Sequence, residues 1–137
     1  MSIRIVQLGQ PRHPAEGLRL GTVRRPPRGI RKSEFASRNY YDVWLPQLSP
    51  DAELLKTGQA ALEDGSGKDW QEFARRFRAE MSQGDAARLL DMLAALSHQT
   101  GLSVGCYCAD ERRCHRSILR ALLQERGADI VEADTEQ

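Results

Sequence analysis

The feature that most restricts the fold is a run of helical stripes enclosed between short extended segments. Ile3-Arg4-Ile5-Val6-Gln7-Leu8 is short and β-branched, as strands are. Leu18 to Arg24 alternates and then meets Pro26-Pro27, whose fixed φ and missing donors stop a strand. Leu102-Ser103-Val104-Gly105-Cys106-Tyr107-Cys108 sets Leu102, Val104, Cys106 and Cys108 on one face under the period of two. Strands set apart by helices predict an α/β domain with a small, mostly parallel sheet flanked by helices. With 137 residues and no internal repeat, the chain predicts a single compact domain over 1–137 that buries a core without staples.

Four helices are expected. Ser49-Pro50 predicts an N-cap followed by proline at the first helical position, with Leu54, Leu55 and Leu62 on the apolar side. Asp69 with Glu72 predicts a capping box, ahead of Trp70, Phe73, Phe77 and Met81 at spacings of three and four. Gly84 is expected to end that helix and Asp85 to cap the next, whose Leu89, Leu90, Leu93 and Leu96 form a stripe closed at Gly101. The last helix is expected to begin near Arg112 and end at Gly127, with Ile118, Leu119, Leu122 and Leu123 facing inward.

Composition removes several function classes. No apolar run approaches the roughly 20 residues that span a bilayer, so no membrane partner is expected. Met1 to Val6 lacks the apolar stretch and cleavage site of a signal peptide, which makes the cytoplasm the expected location. The net charge of +1 conceals a gradient. Residues 1–38 hold nine Lys/Arg and two acids, while the remainder holds eleven Lys/Arg and 17 acids. Such asymmetry fits an anionic partner for the first part, or attraction between the two parts.

All three cysteines fall in Cys106-Tyr-Cys108-Ala-Asp-Glu-Arg-Arg-Cys114-His115-Arg116, where a strand end passes through a loop into a helix. Open α/β sheets bind ligands at such places, and helix N-termini favour anions. Arg112, Arg113, His115 and Arg116 stand against the helix dipole there, and only Asp110 and Glu111 offset them. Rules that fail locally tend to fail at functional sites. These four residues, together with Arg24 and Arg28, are therefore the candidate anion-binding set.

The thiol cluster of Cys106, Cys108 and Cys114 admits three chemistries. Cys106 and Arg112 have a Cys-x5-Arg spacing suited to a thiolate in an amide cradle, but the intervening loop lacks glycine and carries two acids. Cys106, Cys108, Cys114 and His115 are zinc-ligand types, yet adjacent helical residues point about 100° apart and rarely share one tetrahedral metal. Reduced core thiols are the expectation, with no metal and no cofactor; reactivity would require exposure near the arginines.

Arg24, Arg25, Arg28, Arg31 and Lys32 surround Pro26-Pro27 and Gly29 in a basic loop 24–32, and Tyr40, Tyr41 and Trp44 follow. Basic side chains beside aromatics suit phosphate or nucleic acid. A loop packed on the acidic part and an aromatic core plug account for the same residues. A small anionic, phosphate- or nucleotide-like ligand is favoured over nucleic acid and over a thiol- or metal-dependent enzyme. Neither the reaction nor the oligomeric state is legible here.

Arg24, Pro27-Arg28-Gly29, Ile30-Arg31-Lys32, Trp44-Leu45, Ser49-Pro50 and the later Cys114-His115-Arg116 occur in an order that resembles the YeaO-like family (bacterial domain of unknown function 488), in its Cys-His-Arg branch. Arg24-Arg25-Pro26-Pro27 stands where such members often have Arg-Leu-Trp-Pro. The resemblance covers most of the chain. It implies a compact α/β domain in a bacterial intracellular setting and supplies no reaction.

Overall fold

A computed structural model describes residues 2–63, 67–108 and 114–131, without the side chains of 61–63. Four strands, β1 (Ile3–Gln7), β2 (Leu18–Gly21), β3 (Val43–Trp44) and β4 (Leu102–Cys106), form one sheet in the order β1-β4-β2-β3. Every pairing is parallel, so all four carboxyl ends open on one side. β4 lies between β1 and β2, and all five of its residues are buried. Segment 129–131 covers the outer side of β1, where Ile3 N–H donates to Asp129 and Val131 N–H to Ile3.

Alternation decides what each face carries. Ile3, Leu20, Leu102 and Val104 point into the main core, where they meet Leu54, Phe73, Phe77, Leu90, Leu93, Leu119 and Leu123. These come from α1 (Ala52–Glu63), α2 (Lys68–Met81), α3 (Gly84–Leu96) and α4 (His115–Glu125), which pack α1 on α2 and α4 on both α2 and α3. Arg19 and Ser103 point the other way. Both are buried, and both close on the buried carboxylate of Glu16. Arg19 also donates to the carbonyls of Gln10 and Asn39 at 2.9 and 2.7 Å, so its guanidinium holds two loops against the sheet.

The helix starts differ from the sequence expectation. Ser49 does not cap α1; its hydroxyl bonds the Pro46 carbonyl, and Asp51 Oδ1 accepts from Leu54 N–H at 2.8 Å instead. Pro46–Leu48 forms a short 3-10 turn that consumes the serine, so the helix begins after both prolines. Asp69 lies inside α2, whose N-cap is Gly67 at φ 81, and Glu72 pairs with Arg75 rather than reaching back. Gly84 opens α3 at φ 56, with Gln83 as N-cap, and Asp85 falls in the first turn. α3 ends at Leu96, well before Gly101. β2 stops at Gly21, three residues earlier than its alternation predicted.

Two features of the basic-loop region were not expected. Lys32–Glu34 makes a 3-10 turn, and Val43–Trp44 forms the edge strand β3 beside Leu20 and Gly21. Tyr41, two residues before β3, packs its ring closely on Gly21. A Cβ at that glycine would stand 2.3 Å from Tyr41 Cδ2, so the sheet permits the ring only because position 21 has no side chain. Trp44 stays 41% exposed and donates its indole N–H to the Val23 carbonyl at 2.8 Å. Among the described residues, no helix is long and apolar enough to cross a membrane.

Candidate functional site

The carboxyl end of β4 and the first residue of α4 place the cysteine cluster at the open side of the sheet. Cys106, the last residue of β4, and Cys114, the residue before α4, are both buried and belong to a small second core with Leu8, Val23 and Tyr41. Cys108 lies beyond the strand and is exposed, so it does not share the buried face expected of it. The strand ends because the chain turns at Tyr107. Cys108 still joins the cluster through its backbone, donating N–H to Cys106 Sγ at 3.4 Å.

Cys106 Sγ and Cys114 Sγ are 2.7 Å apart, and Cys114 Sγ stands 3.6 Å from His115 Nδ1. Sequence reasoning held that adjacent helical residues would diverge. They converge because Cys114 is not helical: it is the N-cap, with φ −138 and ψ 154, so its side chain does not follow the helical spacing. The expectation that α4 begins near Arg112 hid this; the helix begins at His115. His115 Nε2 lies 2.7 Å from the Thr22 carbonyl. A carbonyl only accepts, so Nε2 carries a proton, and in the neutral ring Nδ1 presents its lone pair to the thiol. The Phe77 ring packs edge-on to the imidazole, with centroids 5.6 Å apart.

These contacts divide the protons among the thiols. Hydrogen bonding with Cys108 and Cys114, and then burial, push the Cys106 thiol well above the ordinary range. Hydrogen bonding with Cys106 and Cys108 pulls Cys114 the other way, and although burial opposes ionisation, the His115 ring adds to the lowering. The helix N-terminus acts in the same direction.

A cavity of about 80 Å³ reaches Cys114 between Leu55, Gly58, Trp70, Phe73 and Cys108. At Gly58 a Cβ would stand 2.7 Å from Phe73, so the close approach of α1 to α2 that shapes the cavity depends on that glycine.

Cys106 Sγ, Cys114 Sγ and a His115 ring nitrogen also lie within 4.8 Å of one another, which makes them the set able to hold a metal among the described residues. The His115-to-carbonyl bond is the usual outer-shell partner of a metal-bound imidazole. The sulfur spacing is shorter than a bound zinc would leave it. Two thiolates on one tetrahedral zinc stand about 3.8 Å apart, given Zn–S bonds of about 2.3 Å. At 2.7 Å the two sulfurs stand between the roughly 2.05 Å of a disulfide bond and ordinary contact.

The cationic residues separate into two groups. His115 and Arg116 are buried, and Arg116 donates to the Cys108 carbonyl, which ties the turn after β4 to α4. The contacts of these two with carbonyl oxygens offset part of the conflict with the helix dipole that the sequence displayed. Arg112 and Arg113 lie outside the described residues. Arg24 donates to the Ser49 and Pro50 carbonyls and anchors the approach to α1. Arg28 is exposed. It lines a cleft of about 330 Å³ with Arg25, Pro26, Pro27, Tyr40 and Tyr107. The Tyr107 hydroxyl donates to the Arg25 carbonyl at 2.7 Å, so the basic loop is fastened to the residue between the two cysteines of β4 and its turn.

The family model DUF488-N3a, described as the active DUF488-N3 subclade, matches residues 3–127. The chain belongs to the DUF488 family. The match takes in both ends of the sheet and all of α4, and so Cys106, Cys108, Cys114, His115 and Arg116 are DUF488 positions within it. It agrees with the YeaO-like resemblance drawn from Pro27-Arg28-Gly29 and Cys114-His115-Arg116. No curated protein and no solved structure matches the chain.

Sequence reasoning did not single out Glu16 or Arg19, which form the buried polar centre, nor Thr22, which orients His115. Glu16 and Arg19 carried a signal, since opposite charges three residues apart flank a strand start. Thr22 carried none, because its contribution is a backbone carbonyl.

Proposed function

We propose that this DUF488 domain is a thiol-dependent enzyme in which Cys114 is the nucleophile. The observation that carries the reading is the position of Cys114 Sγ, 2.7 Å from Cys106 Sγ and 3.6 Å from His115 Nδ1 at the start of a helix. The thiol proton moves to Nδ1, whose opposite nitrogen is committed to the Thr22 carbonyl and so holds the ring in place. The thiolate forms a bond to an electrophilic centre of the substrate, the bond to the leaving group breaks, and that group takes the proton from Nδ1. Cys106 steadies the thiolate by donating to it and remains protonated throughout. Arg116 positions Cys108 at the cavity mouth through the carbonyl it binds. The anionic-ligand reading fits this arrangement if the substrate's charge rests on exposed cations outside the buried turn.

Iodoacetamide labelling across pH 4 to 9, mapped by mass spectrometry, tests the proposal; the reagent is small enough for the cavity. The expected result is Cys114 labelling whose midpoint lies well below the roughly 8.5 of a free thiol, with Cys106 unlabelled. A midpoint for Cys114 at or above that value overturns the assignment.

A further inference from the structure

We propose that the cleft between the basic loop and the carboxyl end of β4 binds a nucleoside phosphate, with the phosphate on Arg25 and Arg28 and the base on Tyr107 and Tyr40. The inference goes beyond the thiol reading and does not depend on it: Tyr107 is the residue between Cys106 and Cys108, but the cleft and the cavity at Cys114 share no lining residue.

Four observations support it. The first is charge. Arg12, Arg19, Arg78 and Arg126 are each paired with a carboxylate. Among the described residues, Arg25 and Arg28 make no side-chain hydrogen bond or ion pair, and no carboxylate lines their cleft. Two uncompensated guanidiniums facing one space, with Arg31 and Lys32 following, raise the local concentration of phosphate-bearing molecules. Arginine's planar fork then matches phosphate oxygens.

The second is the aromatic wall. Tyr40 and Tyr107 meet edge to face with centroids 6.5 Å apart, and Tyr107 is 39% exposed. An exposed tyrosine face beside cations selects a flat ring carrying a phosphate over a bare anion, since every base offers a π-face.

The third is rigidity. Pro26 and Pro27 fix φ, Gly29 turns the chain at φ 75, Arg24 anchors the loop root on Ser49 and Pro50, and Tyr107 grips Arg25 through its carbonyl. A loop already held in place loses little freedom on binding.

The fourth is size. About 330 Å³ lies at the lower end of the range for small-molecule pockets, and one nucleotide fits it better than a folded partner does.

Titration calorimetry on the full chain, at matched ionic strength, is done with adenosine monophosphate, a short oligothymidylate, adenosine and inorganic phosphate. The expected result is that a phosphate-bearing nucleoside binds at least about tenfold more tightly than phosphate or adenosine alone, as joint use of both walls requires. Tighter binding of the oligothymidylate identifies a nucleotide within a strand as the source, and tighter binding of the mononucleotide identifies a free one. Arg28→Glu and Tyr107→Leu should each weaken binding about tenfold or more. Arg88→Glu, an equal charge change on exposed α3, should leave it unchanged. Equal affinity for phosphate and nucleotide, equal loss in Arg88→Glu, or no binding by any probe overturns the proposal. Iodoacetamide profiles of Arg28→Glu should match those of the parent protein, so failure of this site is distinguishable from failure of the thiol assignment.

Discussion

His115 on α4 gives its Nε2 proton to the carbonyl of Thr22, just past the end of β2, across 2.7 Å. One bond thereby fixes the ring's tautomer, aims Nδ1 at Cys114, and ties the last helix to the strand that leads into the basic loop. His115→Gln should remove the Nδ1 partner while leaving a donor on the side chain. The Cys114 labelling midpoint should rise toward about 8.5, with a stability loss of about 1–3 kcal/mol by urea unfolding. An unchanged midpoint would show that His115 does not set the thiolate.

Cys108 is exposed while Cys106 and Cys114 are buried. A bulky maleimide, too large for the cavity at Cys114, should therefore modify one thiol quickly in the native protein and all three after denaturation. Loss of the fast phase in Cys108→Ser confirms its origin.

Glu16 and Arg19 form a buried ion pair completed by Ser103 Oγ and His13 N–H. Glu16→Gln leaves a buried guanidinium partly uncompensated and should cost about 3–5 kcal/mol in urea unfolding at neutral pH. Burial pushes the Glu16 carboxyl up, but Arg19, Ser103 and the His13 amide outweigh it and hold the folded value below the ordinary 4.5. A depressed carboxylate stabilises the fold above its unfolded value and ceases to do so as pH falls through its folded value. The difference between parent and Glu16→Gln should accordingly be full at pH 7 and shrink below about pH 4.5.

Gly21→Ala would set a Cβ 2.3 Å from Tyr41 Cδ2. The ring must move, and overpacking of this kind costs about 1–3 kcal/mol. A lowered melting temperature with altered near-ultraviolet tyrosine signal is expected; a parent-like melt would mean that Tyr41 relocates freely.

Reduced, metal-free thiols are the expectation from the sequence, and Cys106, Cys114 and His115, whose ligand atoms lie within 4.8 Å of one another, are where it is tested. Protein purified without chelators should contain far less than one zinc per chain by elemental analysis. One equivalent, lost together with stability on Cys106→Ser, would reassign the cluster as a metal centre.

Periodicity was enough to locate β1, the main run of β4, the Phe73-Phe77-Met81 stripe and the Ile118-Leu119-Leu122-Leu123 stripe. Each is a local pattern whose burial follows from a helix or strand repeat. Helix starts were less legible, because Ser49, Asp69 and Asp85 are all competent caps and the choice fell to neighbours: a 3-10 turn took Ser49, and Gly67 and Gln83 preceded the other two. The two-residue β3 was too short to display any period.

The sequence by itself determined an α/β domain, the clustering of three thiols with a histidine and an arginine at a strand-to-helix turn, and a basic loop stiffened by proline. Those properties reside in composition and in neighbours along the chain. Only the tertiary structure decided that Cys114 caps rather than enters its helix, that Thr22 holds His115, and that Tyr107 fastens the basic loop beside the cysteines. Two of those three contacts pass through backbone carbonyls, which every residue possesses and no sequence pattern marks, and the third depends on one backbone torsion at the helix boundary. The chemistry of the site was therefore present in the residue types, while its geometry was set by which distant chain segments the parallel sheet brought to its open end.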